Sequence, residues 1–202
     1  VFREALNRKE RVRVPMFVVF RDHPGALVKG ILTSLATFVL FYLMTVFALS
    51  WGTSALGYSR ESFLLMQLFG IVFFALTIPL SAIIAERGRK RALLGVTIAI
   101  GAFGLVMAPM LSAGTAGAMA AMALGLGLMG LTYGPLGTVL SEMFPTAIRY
   151  TGSSLTFNFA GIFGASLAPY IATYLANTYG LQYVGYYLVD AGGRVLSLNF
   201  KV

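Results

Sequence analysis

The chain has 202 residues, of which 58% are hydrophobic and only 11% charged, against about 25% charged in an ordinary globular chain, and its mean hydropathy is +0.82. That composition argues against a water-soluble domain, so length here counts membrane crossings. The net charge of +8 comes from basic residues in short groups beside apolar runs, which is the pattern of membrane topology and not of a nucleic-acid surface.

Residues 1–14 are highly charged and lack the apolar core of a signal peptide, so they read as a loop or cut end within a cytoplasmic linker segment, residues 1–26. His23, the one histidine, stands beside Asp22 and Pro24 as a loop residue. Apolar runs then follow at about 28–50, 62–85, 92–111, 117–140 and 151–176. Each is long enough for a hydrocarbon core of about 30 Å, which takes about 20 helical residues. Apart from tyrosine, the only ionisable residue inside them is Lys29, whose long stem reaches back to the headgroups from the edge of the first run. Lipid offers the backbone no partners, so the runs must be helices; a barrel would alternate in polarity over shorter segments.

The fold class is therefore all-α, a polytopic transmembrane helix bundle of about five full spans plus an incomplete sixth. Tyr183 to Val189 starts like a span, and Asp190, Gly192, Gly193 and Arg194 then interrupt it. This divides the chain into a bundle at 27–189 and an aberrant or truncated tail at 190–202. The tail is either interfacial or what is left of a final helix lost by truncation or a changed reading frame.

Arg3, Arg8, Lys9, Arg11, Arg13, Arg21 and Lys29 precede or open the first span, and Arg87, Arg89, Lys90 and Arg91 fill the second connection. The turns on the other face hold only Arg60 or no basic residue at all. The positive-inside rule puts residues 1–26, 86–91 and 141–150 in the cytoplasm.

Gly125, Gly127 and Gly130 spell G-x-G-x-x-G, but they lie inside an uncharged run without the strand, turn and acidic residue of a dinucleotide site. Packing explains them better. Gly127, Gly130, Gly134, Gly137 and Ser141 recur at spacings of three and four and form a smooth stripe for a neighbouring helix. Ser154, Asn158, Gly161, Ala165 and Ala168 repeat the pattern on the next helix, so the two stripes are expected to face one another. Gly134-Pro135 breaks the local backbone bonding, either beside a cavity or hinge or as a static kink.

The most specific segment is Tyr133-Gly134-Pro135, followed by Glu142-Met143-Phe144-Pro145-Thr146-Ala147-Ile148-Arg149-Tyr150-Thr151-Gly152-Ser153-Ser154 and Phe157-Asn158. It resembles the major facilitator superfamily, and within it the metabolite:proton symporters. The likeness covers roughly residues 15–189 and corresponds to helices seven through eleven and the start of twelve. It implies the C-terminal six-helix half of a secondary active transporter that moves a small organic acid or zwitterion with protons by alternating access. A bacterial inner membrane and a missing N-terminal six-helix half follow from the same resemblance.

Residue types at the connections support a gate. Glu142 lies at the negative end of a helix dipole and needs a nearby cation, for which Arg149 is the local candidate. Pro145 keeps two helices from fusing, and Thr146 can cap the next one. Glu142 and Arg149, with Arg87, Gly88 and Arg89, are expected to form a cytoplasmic gate, or else a simple topological anchor. The loop Ala85-Glu86-Arg87-Gly88-Arg89-Lys90-Arg91 is similar to the superfamily's loop pattern, with its acid displaced by one position.

Polar groups inside spans cost free energy unless they face protein or a wet cavity, which marks Tyr42, Thr45, Gln67, Tyr133 and Asn158 as substrate-pathway candidates. Helix-to-helix hydrogen bonding is the alternative for each. No carboxylate lies deep in a span, so coupling falls to Glu142 or to the missing half. The expected partners are membrane lipid, a small-molecule substrate and protons, with no cofactor, metal or nucleic acid. The competing reading is a non-transporting truncated remnant or a membrane interaction subunit.

Overall fold

A computed structural model describes residues 15–86 and 88–199. In chain order its helices are α1 (Pro15–Asp22), α2 (Pro24–Ser54), α3 (Arg60–Glu86), α4 (Arg89–Ser112), α5 (Gly114–Glu142), α6 (Arg149–Thr178) and α7 (Gln182–Asn199). Helices α2 to α6 are long and apolar enough to cross a membrane, in agreement with the five runs read from the sequence. Glycines in left-handed conformation serve four of the connections, at Gly57, Gly88, Gly114 and Gly180. At Gly180 a left-handed φ of 104° lets the N–H return to the carbonyls of Leu175 and Ala176, both at 3.1 Å, which ends α6.

Close packing joins helices that are not neighbours in sequence. On α3, Gly70 meets Met122 and Leu126 of α5, Phe74 and Thr77 meet Gly130, and Ser81 meets Gly134, so α3 and α5 run parallel. By the same evidence α2 lies parallel to α6, with Gly30 on Thr156 and Phe38 on Gly164. The α5 stripe therefore faces α3 and not α6, which corrects the expected pairing. Gly137 also leaves the stripe, since nothing lies within 4 Å of where its Cβ would be. On α6 the buried row is Gly152, Thr156, Ala160, Gly164, Ala168, Ala172 and Ala176, one residue in every four. That row follows a helix ridge and drifts around the axis, which a search at mixed spacings of three and four does not pick out.

Two apolar clusters hold the bundle. The larger joins α2 to α7 through residues such as Leu43, Met44, Phe63, Ile100, Met122, Ala168 and Leu188. The smaller lies at the basic end, where Val19 of α1 and Leu27 of α2 bury Phe144 and Ile148 of the α5–α6 connection. Residues 15–22 are thus a docked helix, and the ring of Phe20 meets that of Phe159 edge-on at 6.1 Å.

The helix does not stop at Asp190, since α7 continues through Gly192 and Gly193 to Asn199, although it is not among the helices long and apolar enough to cross a membrane. A glycine inside a helix costs about 1 kcal/mol in propensity, and packing on α4 outweighs it here. Val184, Leu188 and Ala191 are buried, while Gly185 faces the Gly104 backbone and Gly192 faces the Thr97 carbonyl. A Cβ on Gly185 would collide with the Gly104 carbonyl. Gly185→Ala is accordingly expected to destabilise the chain by about 2 kcal/mol despite its better helix propensity. Thermal unfolding in detergent followed by circular dichroism checks this, and an unchanged midpoint would refute the close crossing.

Candidate functional site

The described residues bring aromatic rings from four helices into one row. Phe74 of α3 meets Tyr133 of α5 at 5.7 Å and 77°, and Tyr133 meets Phe157 of α6 at 6.4 Å and 85°. Phe157 in turn meets Phe38 of α2 at 4.9 Å and 71°. Edge-to-face geometry of this kind contributes about 1 kcal/mol per pair beyond area burial. Small residues make the row possible, since Gly161 and Gly164 let the Phe38 side chain lie against the α6 backbone.

Tyr133 is 41% exposed although it is ringed by other aromatics. Asn158, one position past Phe157, is also exposed, and its Nδ2 donates to the Ser154 carbonyl at 2.8 Å. Tyr42 is half-buried on α2, edge-on to Phe41 at 5.1 Å. This surface offers rings, a phenol, an amide and a serine, all neutral. It can stack on and hydrogen-bond to a small molecule, while a charged end of that molecule would need a cation from elsewhere. Phe38, Phe74 and Phe157 carry no polar group, so intramembrane polarity does not mark them; three phenylalanines on helices rich in small residues are the available signal.

Thr45 and Gln67 belong to a different structure. Residues Leu43–Phe47 of α2 form a π-helical turn, a widened turn found mostly as single insertions within α-helices. The Thr45 hydroxyl donates to the Phe41 carbonyl at 2.7 Å. Gln67, buried at 7% exposure, donates through Nε2 to the carbonyls of Met44 at 2.8 Å and Thr45 at 2.9 Å. Gln67 thus makes a helix-to-helix bond from α3 to α2, the alternative left open by the sequence, while Thr45 bonds within its own helix.

At the basic end, Glu142 closes α5, exposed and with a bonding partner. Arg149 opens α6, and its Nε donates to the Phe144 carbonyl at 3.4 Å. Ile148, not Thr146, takes the N-cap position, without a side-chain bond. Gly88 adopts a φ of 135° before α4. Arg87 lies outside the described residues, as does the side chain of Arg89. Gly134 and Pro135 border a cleft of about 490 Å³ lined also by Ala82, Ala85, Glu86, Gly88 and Thr138. Pro135 therefore lines this cleft while α5 continues through it to Glu142.

Residues 25–200 match the family described as sugar (and other) transporter. The inner membrane metabolite transport protein YhjE of Escherichia coli is 39% identical over 97% of this chain and 46% of its own length. The shikimate transporter of E. coli is 30% identical over 81% of this chain and 38% of its own. The citrate-proton symporter of Salmonella typhi is 28% identical over 87% and 41% respectively. The chain spans about half the length of the curated relatives it matches or less. No solved structure matches it.

Proposed function

Because the chain belongs to the sugar and metabolite transporter family of the major facilitator superfamily, we propose that it forms one wall of a proton-coupled carrier for a small organic acid or zwitterion. The observation that carries this reading is the aromatic row of Phe74, Tyr133, Phe157 and Phe38, which joins four membrane helices and exposes Tyr133 as part of a neutral recognition surface. A second six-helix bundle would close the opposite side and supply the cation for a carboxylate, since the apolar runs themselves carry none beyond Lys29. Shikimate and citrate, named for two relatives, are the first substrates to test. The basic loops support a cytoplasmic N-terminal segment. The cluster at residues 86–91 with Glu142 and Arg149 supports a gate at that end, where ion pairs form in one access state and break in the other.

The test is uptake of labelled shikimate or citrate by membrane vesicles containing the chain together with its six-helix complement, under an imposed inward proton gradient. Uptake is expected to exceed that of empty vesicles at least tenfold and to fall to background when a protonophore collapses the gradient. Uptake indifferent to the protonophore would remove proton coupling. Absence of uptake across a panel of organic acids and zwitterions would favour a membrane interaction subunit.

A further inference from the structure

We infer that Gln67 is the clasp of a hinge in α2: by bonding the Met44 and Thr45 carbonyls it holds Leu43–Phe47 in the π-helical turn and so sets the direction in which Ala48–Ser54 leaves the helix. Inside a membrane a backbone carbonyl has no water to accept from, so a widened turn persists only where a donor reaches it from elsewhere. Gln67 comes from α3 and supplies two such bonds from one amide. The amide is therefore a positioning group, and the inference stands apart from any substrate or coupling.

A second contact depends on the same turn. Downstream of it, Gly52 lies against the ring of Phe63, which leaves no room for a side chain. A π turn inserts one residue relative to an α-helix. If it tightened, Ala48–Ser54 would rotate by about 100° and advance about 1.5 Å relative to Phe38–Tyr42, and Trp51 would come round to the place of Gly52. Trp51 is the only tryptophan, and it stacks on Phe47 at 5.9 Å and 22°. The protein thus carries a fluorescent reporter at the end of the hinge.

The experiment uses the whole chain in detergent, with Trp51 emission, acrylamide quenching and thermal midpoint as readouts. Gln67→Leu is expected to lower the midpoint by roughly 5 °C or more, because the Met44 and Thr45 carbonyls lose the amide that reaches them from α3, and to change Trp51 quenching. Deleting Val46, an exposed residue of the π turn, is expected to be equally harmful while Gln67 is present, because it leaves the amide without acceptors. The two changes combined are expected to restore midpoint and quenching together, since the turn becomes an ordinary α turn with Gly52 still on Phe63. Additive damage in the combined variant would overturn the clasp, as would a Gln67→Leu chain identical to the parent. If Gln67→Leu alone fails to fold, recovery or failure of the combined variant gives the same decision.

Discussion

Gly130→Leu is expected to destabilise the chain by about 3 kcal/mol or more, while Gly137→Leu, seven residues along the same apparent stripe, changes stability by no more than about 0.5 kcal/mol. The contrast comes from the crossing of α3 and α5. A Cβ on Gly130 would lie 2.5 Å from the Phe74 carbonyl and collide with the Thr77 hydroxyl. A backbone carbonyl cannot swing aside, so the two helices must part along the stripe that also holds Gly70 and Gly134. Gly137 looks into open space, where leucine also gains helix propensity. Parallel thermal unfolding of the two variants tests this, and equal midpoints would show that the crossing is looser than described.

The second large effect concerns transport. In vesicles holding the complete carrier, Tyr133→Ala is expected to lower kcat/KM about 30-fold, because it removes both edge-to-face pairs at about 1 kcal/mol each, and tenfold corresponds to about 1.4 kcal/mol. Tyr133→Phe keeps the rings and removes only the hydroxyl. It is expected to raise KM severalfold with kcat unchanged, the signature of a lost ground-state contact. A phenylalanine variant with parental KM would take the hydroxyl off the substrate. An alanine variant with parental kcat/KM would remove the aromatic row from the transport pathway.

Candidate site residues read from their chemistry alone divided into two groups once their neighbours were known. Tyr133 is exposed within the aromatic row, and Asn158, next to Phe157 in the chain, is exposed with its amide on the Ser154 carbonyl. Gln67 and Thr45 looked equivalent in sequence, as polar groups in apolar runs, yet Gln67 is buried and bonds carbonyls of another helix, while Thr45 bonds a carbonyl of its own. Hydropathy registers the cost of a polar group in lipid, but it does not say which partner repays that cost. Nor does any composition rule anticipate a π turn, since one inserted residue leaves the average apolarity of the span unchanged.

What the sequence determined by itself was the number, length and helical character of the spans, because lipid imposes that answer on any apolar run of sufficient length through its lack of hydrogen-bond partners. The charge pattern likewise separated a basic end from a neutral one. Which helix packs on which was decided only by tertiary structure. Small residues allow close approach without naming a partner, so α5 was free to choose α3 over its sequence neighbour α6, and Gly137 shared the spacing of the stripe without sharing its contact. The persistence of α7 as a helix was settled in the same way: Asp190, Gly192, Gly193 and Arg194 interrupt the apolar run, and the burial of Val184, Leu188 and Ala191 against neighbouring helices carries the helix through them.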